Sequence, residues 1–179
     1  MIKSYPTLKV DKNKLWEIYN RCEYKIPITI PNLARVTNVF ITDKSDIEYL
    51  FTMLDDWGIK PNKLNNNYSY SSEIGVIDPS LETSFNFNVI PPGGWVFPHR
   101  DVNPTKINIL LNEKTEAPYR DVNSSNEYFY DDGPVLLKVG ELHTVDNCDS
   151  IKEDRVTFQA FLIDDFETCE RTLDENRSN

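Results

Sequence analysis

The sequence predicts a mainly β domain, with two N-terminal helices flanking strands that close into a barrel or sandwich. Two observations carry this. From Ser84 onward apolar and polar residues alternate with a period of two, as strands do. Before Ser84, two stretches repeat apolar residues at three- and four-residue intervals, as helices with one buried face do. A chain of 179 residues supports one domain with a substantial core. Residues 1–179 are therefore read as a single domain, with helices at about 11–58 packed on a β core at about 84–167.

Taken in order, the chain starts with an irregular segment. Leu15, Ile18, Tyr19 and Cys22 then recur at i, i+3, i+4 and i+7, which predicts a helix from a cap at Asp11 to about Tyr24. Pro27 and Pro31 end the helical pattern, and Ala34 to Thr42 reads as extended because Val36, Val39, Phe40 and Ile41 favour strand. Ser45-Asp46-Ile47-Glu48 reads as a capping box, opening a helix whose apolar face (Ile47, Leu50, Phe51, Leu54, Trp57) ends at Gly58. Lys60 to Ser72, with three consecutive asparagines, reads as a loop or short edge strand.

Beyond Ser84 strand follows strand. Phe85, Phe87 and Val89 alternate with Asn86 and Asn88, and Ile107, Ile109 and Leu111 alternate with Lys106 and Asn108. Glu113 to Asp132 is polar and rich in turn residues, a length that suits a segment framing a site, with Tyr119, Tyr128, Phe129 and Tyr130 as candidate lid residues. Val135 to Val139 reads as a short buried strand, and Gly140-Glu141 turns the chain into His143. A last strand sets Val156, Phe158, Ala160 and Leu162 against Arg155, Thr157, Gln159 and Phe161. One set of strand faces is thus apolar and the other polar. Buried polar groups without partners are costly, so the polar faces meet either bulk water or a polar cavity. The histidines among these strands favour the cavity.

Composition excludes several classes. A formal net charge of −10 disfavours binding to nucleic-acid backbones, which lysine and arginine must neutralise. No apolar run approaches the length of a membrane span. Met1 to Pro6 lacks the apolar stretch of a signal peptide, and three scattered cysteines (Cys22, Cys148, Cys169) suit reduced thiols, so a cytoplasmic location is expected. No internal repeat is evident.

The chemistry concentrates in the two histidines of the chain. His99 is followed two residues later by Asp101, and in an extended segment such residues project from one face about 7 Å apart. With His143 they form the ligand set of a 2-His-1-carboxylate triad, which leaves three positions open on Fe(II). The same three residues suit catalytic zinc. Arg155, on the polar face of the strand after His143, is placed to clamp the distal carboxylate of a dicarboxylic acid, with the Thr157 hydroxyl beside it. The alternative for Arg155 is a solvated charge paired with Glu153 or Asp154.

Asn88-Val89-Ile90-Pro91-Pro92-Gly93-Gly94-Trp95-Val96-Phe97-Pro98-His99 resembles the approach to the first iron histidine in the aspartyl/asparaginyl β-hydroxylase family of Fe(II)- and 2-oxoglutarate-dependent oxygenases. His143-Thr144-Val145-Asp146-Asn147, followed by Arg155, is similar to that family's distal histidine and co-substrate arginine. The resemblance runs from Phe85 to Phe166. It implies a double-stranded β-helix (jelly-roll, cupin-like) barrel, iron on His99, Asp101 and His143, and 2-oxoglutarate on Arg155. It also implies that Asn88, Lys106 and Asn108 occupy positions that contact the co-substrate. The implied activity hydroxylates an amino-acid side chain, free or in a peptide or protein, consuming O2 and converting 2-oxoglutarate to succinate and CO2. Two positions depart from the family: Asp101 stands where several members have glycine, and Asn108 where arginine is common. Two other classes compete, a cupin-type metalloenzyme that ignores 2-oxoglutarate and a non-catalytic jelly-roll binding protein.

Overall fold

The computed structural model describes residues 1–30, 34–62, 85–101, 103–112, 119–124, 126–128, 133–145 and 152–177. The elements in chain order are β1 (Ile2–Ser4), α1 (Lys12–Arg21), β2 (Lys25–Ile30), β3 (Ala34–Phe40), α2 (Lys44–Asp56), β4 (Phe85–Ile90), β5 (Val96–His99), β6 (Thr105–Leu110), β7 (Tyr119–Asp121), β8 (Glu127–Tyr128), β9 (Val135–Lys138), β10 (His143–Val145), β11 (Arg155–Leu162) and α3 (Phe166–Arg177). No helix among the described residues is long and apolar enough to cross a membrane.

Among the described residues all strand pairs are antiparallel, in the order β1-β9-β6-β11-β4-β3-β5-β10-β7-β8, with β2 on the other edge of β3. The path divides at β3. There β4 pairs along Thr37 to Phe40, whereas β5 joins through the single pair Ala34↔Val96 and the bond from Arg35 N–H to the Trp95 carbonyl (3.0 Å). A larger sheet thus continues into a smaller one, β5-β10-β7-β8.

The apolar faces of β4, β6 and β11 pack against all three helices. Phe85, Phe87, Ile107, Ile109, Phe158 and Leu162 form one cluster with Leu15 and Ile18 of α1, Leu50 and Leu54 of α2, and Phe166 and Leu173 of α3. The helices therefore cover the outside of the larger sheet. Its opposite face, bearing Asn86, Lys106, Asn108, Arg155, Thr157 and Gln159, is also buried, so it lines the interior between the sheets and does not meet bulk water.

Several elements depart from the sequence reading. The cap of α2 is Asp43, whose carboxylate accepts from Ser45 N–H (2.9 Å) and Asp46 N–H (3.1 Å); Ser45 lies inside the helix. Helix α1 stops at Arg21, three residues short of Tyr24, because the chain turns extended at Cys22. Strand β2 crosses Pro27, which an edge strand tolerates because the missing N–H removes no central ladder bond. The opening segment is not irregular: β1 extends the larger sheet by pairing with β9. Helix α3 was absent from the sequence reading, and Lys3 ties it to β1 through Glu170 (3.0 Å) and Asp174 (2.6 Å). Of the stretch read as a loop or edge strand, residues 63–72 lie outside the described residues.

Candidate metal centre

The turn Pro91-Pro92-Gly93-Gly94 decides where His99 goes. Gly94 N–H donates to the Pro91 carbonyl (2.7 Å), Pro92 presets its own φ, and Gly93 takes φ +68°, which closes a type II turn. A Cβ on Gly94 would lie 2.7 Å from the Pro91 carbonyl oxygen and 2.8 Å from that of Arg35, so glycine is required where β5 leaves β3. From this turn β5 runs straight to His99.

On β10, His143 is the register partner of His99, and the two rings lie 4.3 Å apart between centroids. Asp101 follows at the end of β5. Its N–H donates to the Val139 carbonyl (2.9 Å), while Val139 and Gly140 N–H both donate to the Pro104 carbonyl. The turn after β9 that leads to His143 is therefore tied to the loop that carries Asp101. His99 Nε2 lies 3.3 Å from Asp101 Oδ1, and His143 Nε2 lies 4.0 Å from Oδ2. One ligand atom from each of the three residues falls within 4.8 Å of the other two.

Both imidazoles are oriented the same way. Nδ1–H of His99 donates to the Phe97 carbonyl (2.8 Å), and Nδ1–H of His143 to that of Glu141 (2.9 Å). In the neutral rings this leaves Nε2 as a lone pair aimed at Asp101. Nε2 of His143 is buried and has no hydrogen-bond partner among the described residues. Ligands each about 2.1 Å from a shared ion sit near 3 Å apart when cis, close to the His99–Asp101 separation. Two nitrogens and a carboxylate oxygen so arranged fit a divalent transition metal.

Tyr119 stacks on the His143 ring at 5.2 Å and is itself buried, with Tyr128 against it. Both belong to short strands of the smaller sheet, so Tyr119 is a wall of the site and not part of a lid. Phe129 and Tyr130 lie outside the described residues. At the mouth, Phe97 is 39% exposed with its ring 6.1 Å from that of His99, an apolar ledge beside the candidate ligands.

The remaining polar residues stand along the interior face. Arg155 is 2% exposed, which rules out a solvated charge; it faces Ile90 across the β4–β11 ladder. Thr157 lies between Asn88 and Leu110, and Asn108 pairs with Gln159. Asn88 donates to Asn38 Oδ1 (3.0 Å), a partner on β3 that sequence reasoning missed. Lys106 reaches Asp101 Oδ2 (3.0 Å). A lysine five residues beyond the aspartate, across a proline turn, was the available signal for that contact.

The electrostatics keep Asp101 and His143 deprotonated. Burial lowers the pKa of His143 to about 4, the Lys106 ammonium adds to the shift, and Asp101 offsets only part of it. Burial alone would raise the pKa of Asp101, but the Lys106 ammonium, followed by the neighbouring His99 and His143, outweighs it and the carboxyl is held well below its usual range. An unfolded histidine titrates near 6.5. The neutral His143 therefore contributes its full stability above about pH 6.5 and loses it as pH falls towards 4, a span worth about 3 kcal/mol. Asp101, shifted down, adds a loss only below about pH 4. In urea titrations of metal-free protein, stability should fall between pH 7 and pH 4, and His143→Leu should flatten that dependence; parallel curves for the two proteins would refute it.

Comparison of the coordinates with solved structures shows what this architecture is. A prolyl-4-hydroxylase from Pseudomonas putida superposes with a TM-score of 0.54 over 90% of each chain at 13% identity. The viral collagen prolyl hydroxylase of Paramecium Bursaria Chlorella virus-1, solved as a 2OG complex, gives 0.55 over 89% of this chain and 94% of that one at 9% identity. The fold is a double-stranded β-helix. No family model matches the sequence, and no curated protein matches it. At these identities the likeness is one of fold.

Proposed function

We propose that the protein is an Fe(II)- and 2-oxoglutarate-dependent dioxygenase that hydroxylates an amino-acid side chain, free or in a peptide or protein. The convergence of His99, Asp101 and His143, with both Nδ1 atoms engaged by carbonyls and both Nε2 atoms directed inward, carries this reading. These three residues would hold the iron. Bound iron with 2-oxoglutarate and O2 supplies the oxidising power for an unactivated C–H bond. The protein supplies placement and a site shielded from water.

Arg155 and Thr157 would receive the distal carboxylate of the co-substrate. Ile90, across from Arg155, packs with Val96 and Val145. Val145 lies two residues from His143 on β10, so the apolar cluster that holds Ile90 reaches the strand of the second candidate ligand. Asn88 and Asn108, on the same interior face, would bound its flanks. The family resemblance points to aspartyl or asparaginyl side chains, while the neighbours in fold act on prolyl residues according to their names.

The test begins without oxygen. Fe(II) followed by 2-oxoglutarate should produce a weak visible charge-transfer band, and Zn(II) in place of iron should not. In air, succinate release should rise above its uncoupled rate with one member of a pool of aspartyl, asparaginyl and prolyl peptides and free amino acids. A protein that binds metal yet shows neither band nor 2-oxoglutarate turnover would be a metalloenzyme of another class.

A further inference from the structure

We infer that Lys106 is a positioning residue that commits one carboxylate oxygen of Asp101 to a salt bridge, so that the aspartate offers a metal ion a single oxygen. The inference rests on the metal centre proposed above. Lys106 is 7% exposed on the interior face of β6, and its Nζ lies 3.0 Å from Asp101 Oδ2. The ring of Phe161, its register partner on β11, lies 5.8 Å from Nζ. Oδ1, the other oxygen, faces His99 Nε2 at 3.3 Å. Oδ2 also lies 4.0 Å from His143 Nε2, so each oxygen faces an imidazole, and what distinguishes Oδ2 is the shorter contact with the ammonium.

The approach of Lys106 is fixed by the backbone. Asp101 and Pro104 are both bonded to the Val139-Gly140 turn, which holds the start of β6 beside the end of β5. Burying an ammonium is unfavourable unless an anion receives it, and Asp101 is that anion here. Lysine suits the task because a compact ammonium engages one oxygen, whereas an arginine fork engages both.

The chemical consequence is a coordination count. Two imidazoles with a chelating carboxylate take four positions and leave two, which a bidentate co-substrate fills. With Oδ2 retained by Lys106, three positions stay open, and one remains after the co-substrate binds. Lys106 thus acts through the carboxylate of Asp101.

Mn(II) is the probe, and the enhancement of water-proton relaxation by the protein-bound ion reports how many exchangeable waters it carries. The wild-type protein should carry three, and one after 2-oxoglutarate is added. In Lys106→Met the freed oxygen should chelate, lowering the enhancement by about one third and leaving no water after 2-oxoglutarate. Two waters in the wild type, or an unchanged count in the variant, would overturn the role of Lys106 while leaving the metal centre intact. Failure of the wild type to bind Mn(II) would overturn the metal centre itself. Should the variant not fold, as judged by circular dichroism, the wild-type count decides alone.

Discussion

His143→Ala should lower Fe(II) affinity by more than about 100-fold while the protein stays folded. Groups that merely orient metal ligands are worth about 10- to 100-fold in affinity, and a ligand itself should exceed that. His143 is the most buried of the three candidates, and its unpartnered Nε2 gives the folded protein no hydrogen bond to lose. What the variant gives up in the metal-free state is the hydrogen bond from Nδ1–H to the Glu141 carbonyl and the ring contacts with Tyr119 and His99. Isothermal titration with Mn(II) or Co(II), alongside thermal unfolding of the metal-free protein, checks both halves. A variant with wild-type affinity would remove His143 from the metal centre.

Arg155→Met should weaken 2-oxoglutarate binding by about 100-fold with little change in metal affinity. A bidentate guanidinium–carboxylate contact in a buried site is worth on the order of 2 to 3 kcal/mol, each 1.4 kcal/mol being tenfold. Methionine retains much of the side-chain length and apolar surface, so the interior face between Ile90 and Thr157 stays filled. Titrating 2-oxoglutarate into the Mn(II)-loaded variant gives the measurement. Equal losses of metal and co-substrate would mean that Arg155 supports the barrel and does not clamp the ligand.

These two variants probe parts of the site that were legible to different degrees. His-x-Asp is a local motif, while the strand pairing set the distant His143 directly across from His99. The alternation of Arg155, Thr157 and Gln159 with apolar residues marked a polar face, but periodicity does not say whether a polar face is wet or enclosed. Burial answered that, since Arg155 and Thr157 are both almost fully covered. Tyr119 was legible only as an aromatic residue in a long connection. Its stacking on His143 depends on β7 pairing with β10, a contact between segments far apart in the chain.

The amino-acid sequence by itself determined the period-two strands, the two amphipathic helices near the N-terminus and the identities of the candidate ligands. These follow from local preferences: side-chain alternation, helical periodicity and the chemistry of the residue types. Tertiary structure alone decided that β1 and α3 complete the fold, that Pro27 sits in an edge strand, and that Tyr119 stacks on His143. Each of these depends on energies gained across distant segments, by pairing a strand edge or covering an apolar face, and no local pattern encodes them.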